Sequence, residues 1–209
     1  MKPAKSLERI GLVGLGLMGR GIATCFLGHG FEVVAFNRTA SRARKARVAI
    51  GEHLREAVRR KVFRCTQVAD WERRFKTVRS IAEMADCSFV IESVKEDLAL
   101  KRQLYDQLES SLSPNAVIAS NTSSFPLILL QRGRRCPERM IVMHWAEPAW
   151  ITRFLEVVRN ERTAEDTIRR TRAVARACDK QPSILNFDIR GFIANRLMYA
   201  FIREACYLA

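Results

Sequence analysis

The sequence predicts an α/β fold, a doubly wound, mostly parallel sheet with helices on both faces, followed by the start of a helical region. Three observations predict it. Short apolar runs rich in β-branched and aromatic residues alternate with longer segments of helical period. The first two runs, at 9–13 and 31–36, are joined by a glycine-rich turn and a helical stretch, the βαβ arrangement of parallel sheets. The 209 residues, 48% of them hydrophobic, suffice to bury one such sheet with a small appendage.

Each element follows from its local pattern. RIGLV at 9–13 is a first strand, 18–28 a helix, and FEVVAF at 31–36 a second strand. Residues 41–61 are helical in period and very basic, and 80–85 form a short helix. CSFVI at 87–91 is a continuous apolar run, as expected of a strand buried on both faces. In 95–112, Leu98, Leu104, Tyr105, Leu108 and Leu112 fall near one helical face, and Ser113-Pro114-Asn115 ends the helix. Further strands are expected at 116–119, 139–143 and 154–158. A helix at 163–178 has Thr163 as its expected cap, with Asp166 three residues on. From about residue 186 the character changes, and 192–208 is a hydrophobic helical segment. The expected division is 1–187 for the sheet domain and 188–209 for the first helix of a second, truncated, all-helical domain.

Composition narrows the function classes. No apolar stretch is long enough to span a membrane. Ile10 to Met18, behind Lys2 and Lys5, has the charge pattern of a signal peptide, but its glycines and the lack of a small-residue cleavage site argue against one. Cys25, Cys65, Cys87, Cys136, Cys178 and Cys206 are scattered without a C-x-x-C pair and read as reduced thiols of a cytoplasmic protein. Three His without paired ligand spacing give no expectation of a metal site. The net charge is +14, and residues 42–64 hold nine Lys/Arg against two Glu. That segment reads as a solvated helix face or as attraction for a phosphate-rich ligand. The absence of interleaved aromatics argues against a nucleic-acid surface.

Gly14-Leu15-Gly16-Leu17-Met18-Gly19 is G-x-G-x-x-G between a strand and a helix, the context in which this motif binds dinucleotides in Rossmann-type domains. Gly14 permits the tight turn, Gly16 lets the backbone approach a pyrophosphate, and Gly19 lets helix and strand pack closely. Leu17 and Met18 open the helix, whose free N–H groups favour an anion. Asn37 lies 18 residues after Gly19, where an Asp or Glu would bind the ribose hydroxyls of NAD. Asn37 is neutral and Arg38 follows it, which suits the extra phosphate of NADP. The alternative is that Arg38 faces water and NAD binds through Asn37.

His144 directly follows the run at 139–143, and Glu156 lies 12 residues later in the next strand. A carboxylate bonded to the His would make a general base able to take a hydroxyl proton. The alternative is a core His and a surface Glu. SNTSS at 120–124 puts polar side chains at the same sheet edge, and Asn195 opens the last helix.

These residues carry a resemblance. The chain resembles the NAD-binding domain of the 3-hydroxyacyl-CoA dehydrogenases from about Ile10 to Met198, in GLGLMGRGIA at 14–23, VIESVKEDLALK at 90–101, ASNTSS at 119–124, the segment from His144 to Glu156, and GFIANRL at 191–197. The resemblance implies an oxidoreductase moving a hydride between NAD(P) and the 3-hydroxyl carbon of an acyl-CoA-like substrate. It implies His144 as base, Glu156 as its partner, Ser123 and Asn195 at the substrate's reacting end, and Glu96 and Lys101 along the cofactor. The chain departs from the family at Asn37, at Glu147 (where relatives have Asn), and at Arg190 (where relatives have Pro). A module that binds a dinucleotide without turnover is the alternative. Phe192, Ile193, Leu197, Tyr199 and Phe201 are expected to be exposed, so a homo-oligomer through the C-terminal helix is expected. A hydroxyacid dehydrogenase of another Rossmann family fits less well, because the Lys-centred site of that class has no clear counterpart.

Overall fold

A computed structural model describes residues 9–208 of the chain. The strands are β1 (Arg9–Val13), β2 (Glu32–Phe36), β3 (Phe75–Val78), β4 (Phe89–Glu92), β5 (Val117–Ser120), β6 (Met140–Trp145), β7 (Phe154–Val158) and β8 (Gln181–Leu185). The helices are α1 (Leu17–Gly28), α2 (Ala40–Arg59), α3 (Cys65–Val68), α4 (Trp71–Arg74), α5 (Leu98–Ser111), α6 (Leu127–Gln131), α7 (Glu165–Ala177) and α8 (Ala194–Leu208).

All eight strands join one sheet in the order β3-β2-β1-β4-β5-β6-β7-β8. β7 runs antiparallel to β6, and every other pairing is parallel. The order reverses between β1 and β4. A crevice opens at such a switch point beyond the carboxyl ends of the strands, and ligands of open α/β sheets bind there.

Strand alternation builds two cores. Ile10 and Leu12 of β1, Ile141 and Met143 of β6, and Leu155 and Val157 of β7 enter the core under α1, α2 and α7. Val13, Met140, Val142 and Val158 point the other way, into the core under α5 and α6. The period of two thus sends neighbouring residues to opposite faces, and helices cover both. The basic α2 is held by Ala46, Ala49, Ile50, Leu54 and Ala57, which face the sheet and leave its cations outside.

The sheet holds two strands that the sequence pattern does not announce, β3 and β8, and several expectations are corrected. β3 is short and half-exposed at the sheet edge, with Lys76 and Thr77 facing out, so its apolar pattern is weak. β8 begins Gln181-Pro182, and a proline in a strand is tolerated because β8 is an edge paired only with β7. Thr163 does not cap α7: its N-cap is Ala164, and the Thr163 hydroxyl bonds instead to Met140 O and Asn160 Oδ1. His144 lies inside β6 rather than after it, because the antiparallel ladder with β7 runs on to Trp145. Phe192 is buried, because Gly191 and Phe192 both take positive φ and turn its ring inward. Ile193, Leu197, Tyr199 and Phe201 are exposed, and α8 buries none of its residues. Among the described residues no helix is long and apolar enough to cross a membrane.

Candidate active site

The glycine turn sits at the switch point. Gly14 has φ +96°, and a Cβ there would lie 2.4 Å from Ser93 O, so both backbone and neighbour require glycine. A Cβ on Gly19 would lie 2.1 Å from Gly14 O, which fixes how closely α1 meets the turn. Gly16 has open space where its side chain would be. It also precedes α1, whose first turn has neither a side-chain cap nor an acidic residue, so its N–H groups remain available to an anion. Beside it lies a cleft of about 600 Å³ lined by Gly14, Gly16, Leu17, Asn37 and Arg38 among others. The buried Nε of Arg20, another lining residue, has no partner among the described residues. Open glycine, free helix N-terminus and the unpartnered Arg20 Nε together fit a dinucleotide. Met18 packs half-buried against the core, and Gly19 is buried, so both shape the turn rather than line the cleft.

Glu96 and Lys101 stand behind the cleft rather than in its lining. Glu92 ends β4 fully buried, and its two oxygens take four donors. Oε1 accepts from Lys101 Nζ at 2.7 Å and Val94 N at 2.8 Å, and Oε2 accepts from Tyr105 Oη and Ser120 Oγ at 2.7 Å each. Burial and the Glu92 charge push the Tyr105 hydroxyl well above its usual range, which keeps it a donor. Lys101 is 1% exposed and also reaches Glu96 Oε2 at 3.1 Å. Glu96 Oε1 in turn accepts from the Thr122 hydroxyl, Ser123 N (2.9 Å) and the Ser124 N and Oγ (3.2 and 3.0 Å). Burial opposes the Glu96 charge, but the Thr122 hydroxyl and the Lys101 ammonium hold its carboxyl below the usual range. This buried chain fixes the 120–124 loop.

His144 and Glu156 are direct cross-strand partners of β6 and β7, so their side chains leave the sheet on one face. His144 Nδ1 lies 2.6 Å from Glu156 Oε2. Glu156 is fully buried, and its Oε1 accepts from Ile193 N (2.6 Å) and Ala194 N (3.0 Å), the free N–H groups where α8 begins. Asn195, one residue on, donates through Nδ2 to Ser123 O at 3.3 Å. His144, Glu156, Ser123 and Asn195 therefore meet at one edge. Phe192 closes it from below, its ring 5.3 Å from that of His144.

Sequence reasoning missed three features. Glu92 sits inside a quoted motif but reads as an ordinary strand-end acid, and only its zero exposure marks it. Asn121 ties the loop to β6, accepting from Trp145 N at 3.0 Å and donating to Ser93 Oγ at 3.3 Å. Cys25, His29 and Cys178 bring their ligand atoms within 4.8 Å of one another. The 153-residue separation of the two cysteines hides that cluster from any spacing rule.

Residues 9–187 match the family described as 3-hydroxyacyl-CoA dehydrogenase, NAD binding domain. The chain is 31% identical over 203 residues to a 5-formyl-3-hydroxy-2-methylpyridine 4-carboxylate 5-dehydrogenase of Mesorhizobium japonicum, covering 95% of this chain and 64% of that one. It is 30% identical to a 3-hydroxybutyryl-CoA dehydrogenase of Bradyrhizobium diazoefficiens, covering 98% of this chain and 69% of the other. The crystal structure of M. tuberculosis FadB2 superposes with a TM-score of 0.91 at 29% identity, over 97% of this chain and 71% of that one. The chain thus spans about two thirds of the length of these curated relatives. The dinucleotide of the matched domain is NAD. The chain belongs to the 3-hydroxyacyl-CoA dehydrogenase family, of which it holds the NAD-binding domain.

Proposed function

We propose that the chain serves an oxidoreductase acting at the 3-hydroxyl carbon of a 3-hydroxyacyl-CoA-like substrate, with His144 as general base and Glu156 as the group that orients it. The observation that carries this is the 2.6 Å bond from His144 to a fully buried carboxylate, its strand β6 being tied by Asn121 to the cleft-lining Ser93. Because the carboxylate accepts at Nδ1, the imidazole proton sits there and Nε2 is the free acceptor. Nε2 takes the hydroxyl proton as the C–O bond becomes a carbonyl. The dinucleotide, NAD or NADP, would supply the acceptor for the hydride of the adjacent C–H bond. Ser123 and Asn195 hold the oxygenated end of the substrate, their mutual bond fixing one against the other. Gly14, Gly16, Leu17, Asn37 and Arg38 hold the dinucleotide. Met18 and Gly19 support the turn, and Glu96 and Lys101 support the loop.

We assign 1–187 to the dinucleotide-binding domain and 188–209 to the first helix of a helical one. The exposed apolar side chains of α8 supply a contact for a second copy of the chain, and the free thiols suit the cytoplasm. The same exposed helix favours a second reading, a module that turns over only when a partner covers α8. Reduction of NAD and of NADP by 3-hydroxybutyryl-CoA, with calorimetric binding of NADH and NADPH alongside, separates the two. Turnover by the full chain supports the enzyme, and binding without turnover supports the module.

A further inference from the structure

We propose that the adenosine end of the cleft is a phosphate subsite, selecting a dinucleotide with a 2′-phosphate on the adenosine ribose over one with a free 2′-hydroxyl; this rests on reading the cleft as a dinucleotide site. The β1–β2 register pairs Val13 with Phe36, and Gly14 N donates to Phe36 O at 3.0 Å. Asn37 therefore stands immediately beside the glycine turn, at the end of β2. In this topology an acidic side chain there binds the ribose hydroxyls, whereas an Arg nearby accommodates a 2′-phosphate. Asn37 offers no charge. Among the described residues no carboxylate lines the cleft, whereas Arg20, Arg38, Arg42, Lys45 and Lys95 all do. A wall of one sign over a low-dielectric cleft concentrates the opposite charge.

These cations are also uncommitted. Among the described residues, Arg38, Arg42 and Lys45 form neither an ion pair nor a hydrogen bond. Their neighbours on α2 differ: Arg47 donates to the carbonyls of Glu72 and Phe75, and Arg59 and Arg60 pair with Glu56. Arg42 and Lys45 stand three residues apart on one face of α2, the face that Ala46 also turns to the cleft. The first turn of α2 carries no acidic residue to offset them. A phosphate monoester brings about −1.5 to −2 charges at pH 7 and three acceptor oxygens, which the Arg forks can bind in pairs. A free 2′-hydroxyl offers these cations one neutral acceptor and no charge.

Solvated cations and a docking patch for the coenzyme A phosphates are the competing explanations, and one calorimetric series separates all three. NADPH, NADH, 2′,5′-ADP and 3′,5′-ADP (the nucleotide of coenzyme A) are titrated into the full chain at about 0.1 M ionic strength, where exposed charges still act over a Debye length of about 10 Å. The expected result is NADPH binding at least tenfold tighter than NADH, and 2′,5′-ADP tighter than 3′,5′-ADP. Arg38→Asp, at an exposed position where folding is easily verified by circular dichroism, should erase or invert the NADPH advantage. Arg42→Ala and Lys45→Ala should each weaken NADPH severalfold more than NADH. NADH bound as tightly as NADPH, an unchanged ratio in Arg38→Asp, or equal binding of the two bisphosphates overturns the subsite alone. Failure to bind either coenzyme overturns the dinucleotide reading beneath it as well.

Discussion

Replacing Glu92 by Gln keeps its shape and removes one charge from the most enclosed ionic cluster of the site. Glu92 is 0% and Lys101 1% exposed, and four donors converge on the two Glu92 oxygens. The amide of Gln has one acceptor oxygen, so it cannot serve donors on both sides. Its NH₂ group would face either the Lys101 ammonium or the Tyr105 and Ser120 hydroxyls. Lys101 would keep only Glu96, at 3.1 Å. Removing one member of a buried pair typically costs about 3–5 kcal/mol, because the other charge stays buried and uncompensated. For a chain of this size that lowers the melting temperature by about 6–20 °C. Lys101→Met should cost a similar amount. The double variant should cost less than the two together by at least about 1 kcal/mol, since neither charge is left alone. Urea denaturation of the four proteins measures this. A loss below about 1 kcal/mol in Glu92→Gln, the scale of an exposed pair, would refute the claim that this cluster is sealed from water.

Glu156→Gln should act on two observables at once. It presents an NH₂ or a poorer acceptor to His144 and weakens the cap on Ile193 N and Ala194 N, so kcat should fall at least about tenfold and stability by about 1 kcal/mol; unchanged kcat would remove Glu156 from the orienting role. Burial pushes the Cys87 thiol up to about 11. At pH 8 a thiol reagent should therefore label the exposed Cys65 and spare Cys87 until denaturant is added. Rapid labelling of Cys87 in the native protein would contradict its burial.

The parts of this molecule legible in the sequence are those whose pattern is local. The glycine turn was readable because strand, turn and helix are contiguous, and Gly14 and Gly19 have no room for a Cβ. His144 and Glu156 could be paired because a short antiparallel return brings residues 12 apart into register, although that register is a property of the ladder and not of the residues. What stayed hidden depends on distant partners. Lys101 looks like any helical lysine until Glu92 and Glu96 are found around its ammonium. Phe192 looked exposed because the turn that buries it needs a non-glycine residue at positive φ, which propensity does not anticipate. β3 and β8 are edge strands with polar or proline-bearing sequences, and their membership comes from the sheet they join rather than from their own pattern. The link from Glu156 to the start of α8, which binds the proposed base to the next helix, is invisible without coordinates.

The most direct test is a comparison of the chain with its His144→Ala variant, measuring NADH and NADPH formation from 3-hydroxybutyryl-CoA and, by calorimetry, coenzyme binding. With His144 as the base, the variant should lose turnover by about 10²–10⁴-fold while binding the coenzyme nearly as well as the parent. Near-normal turnover in the variant would contradict the assignment of the base.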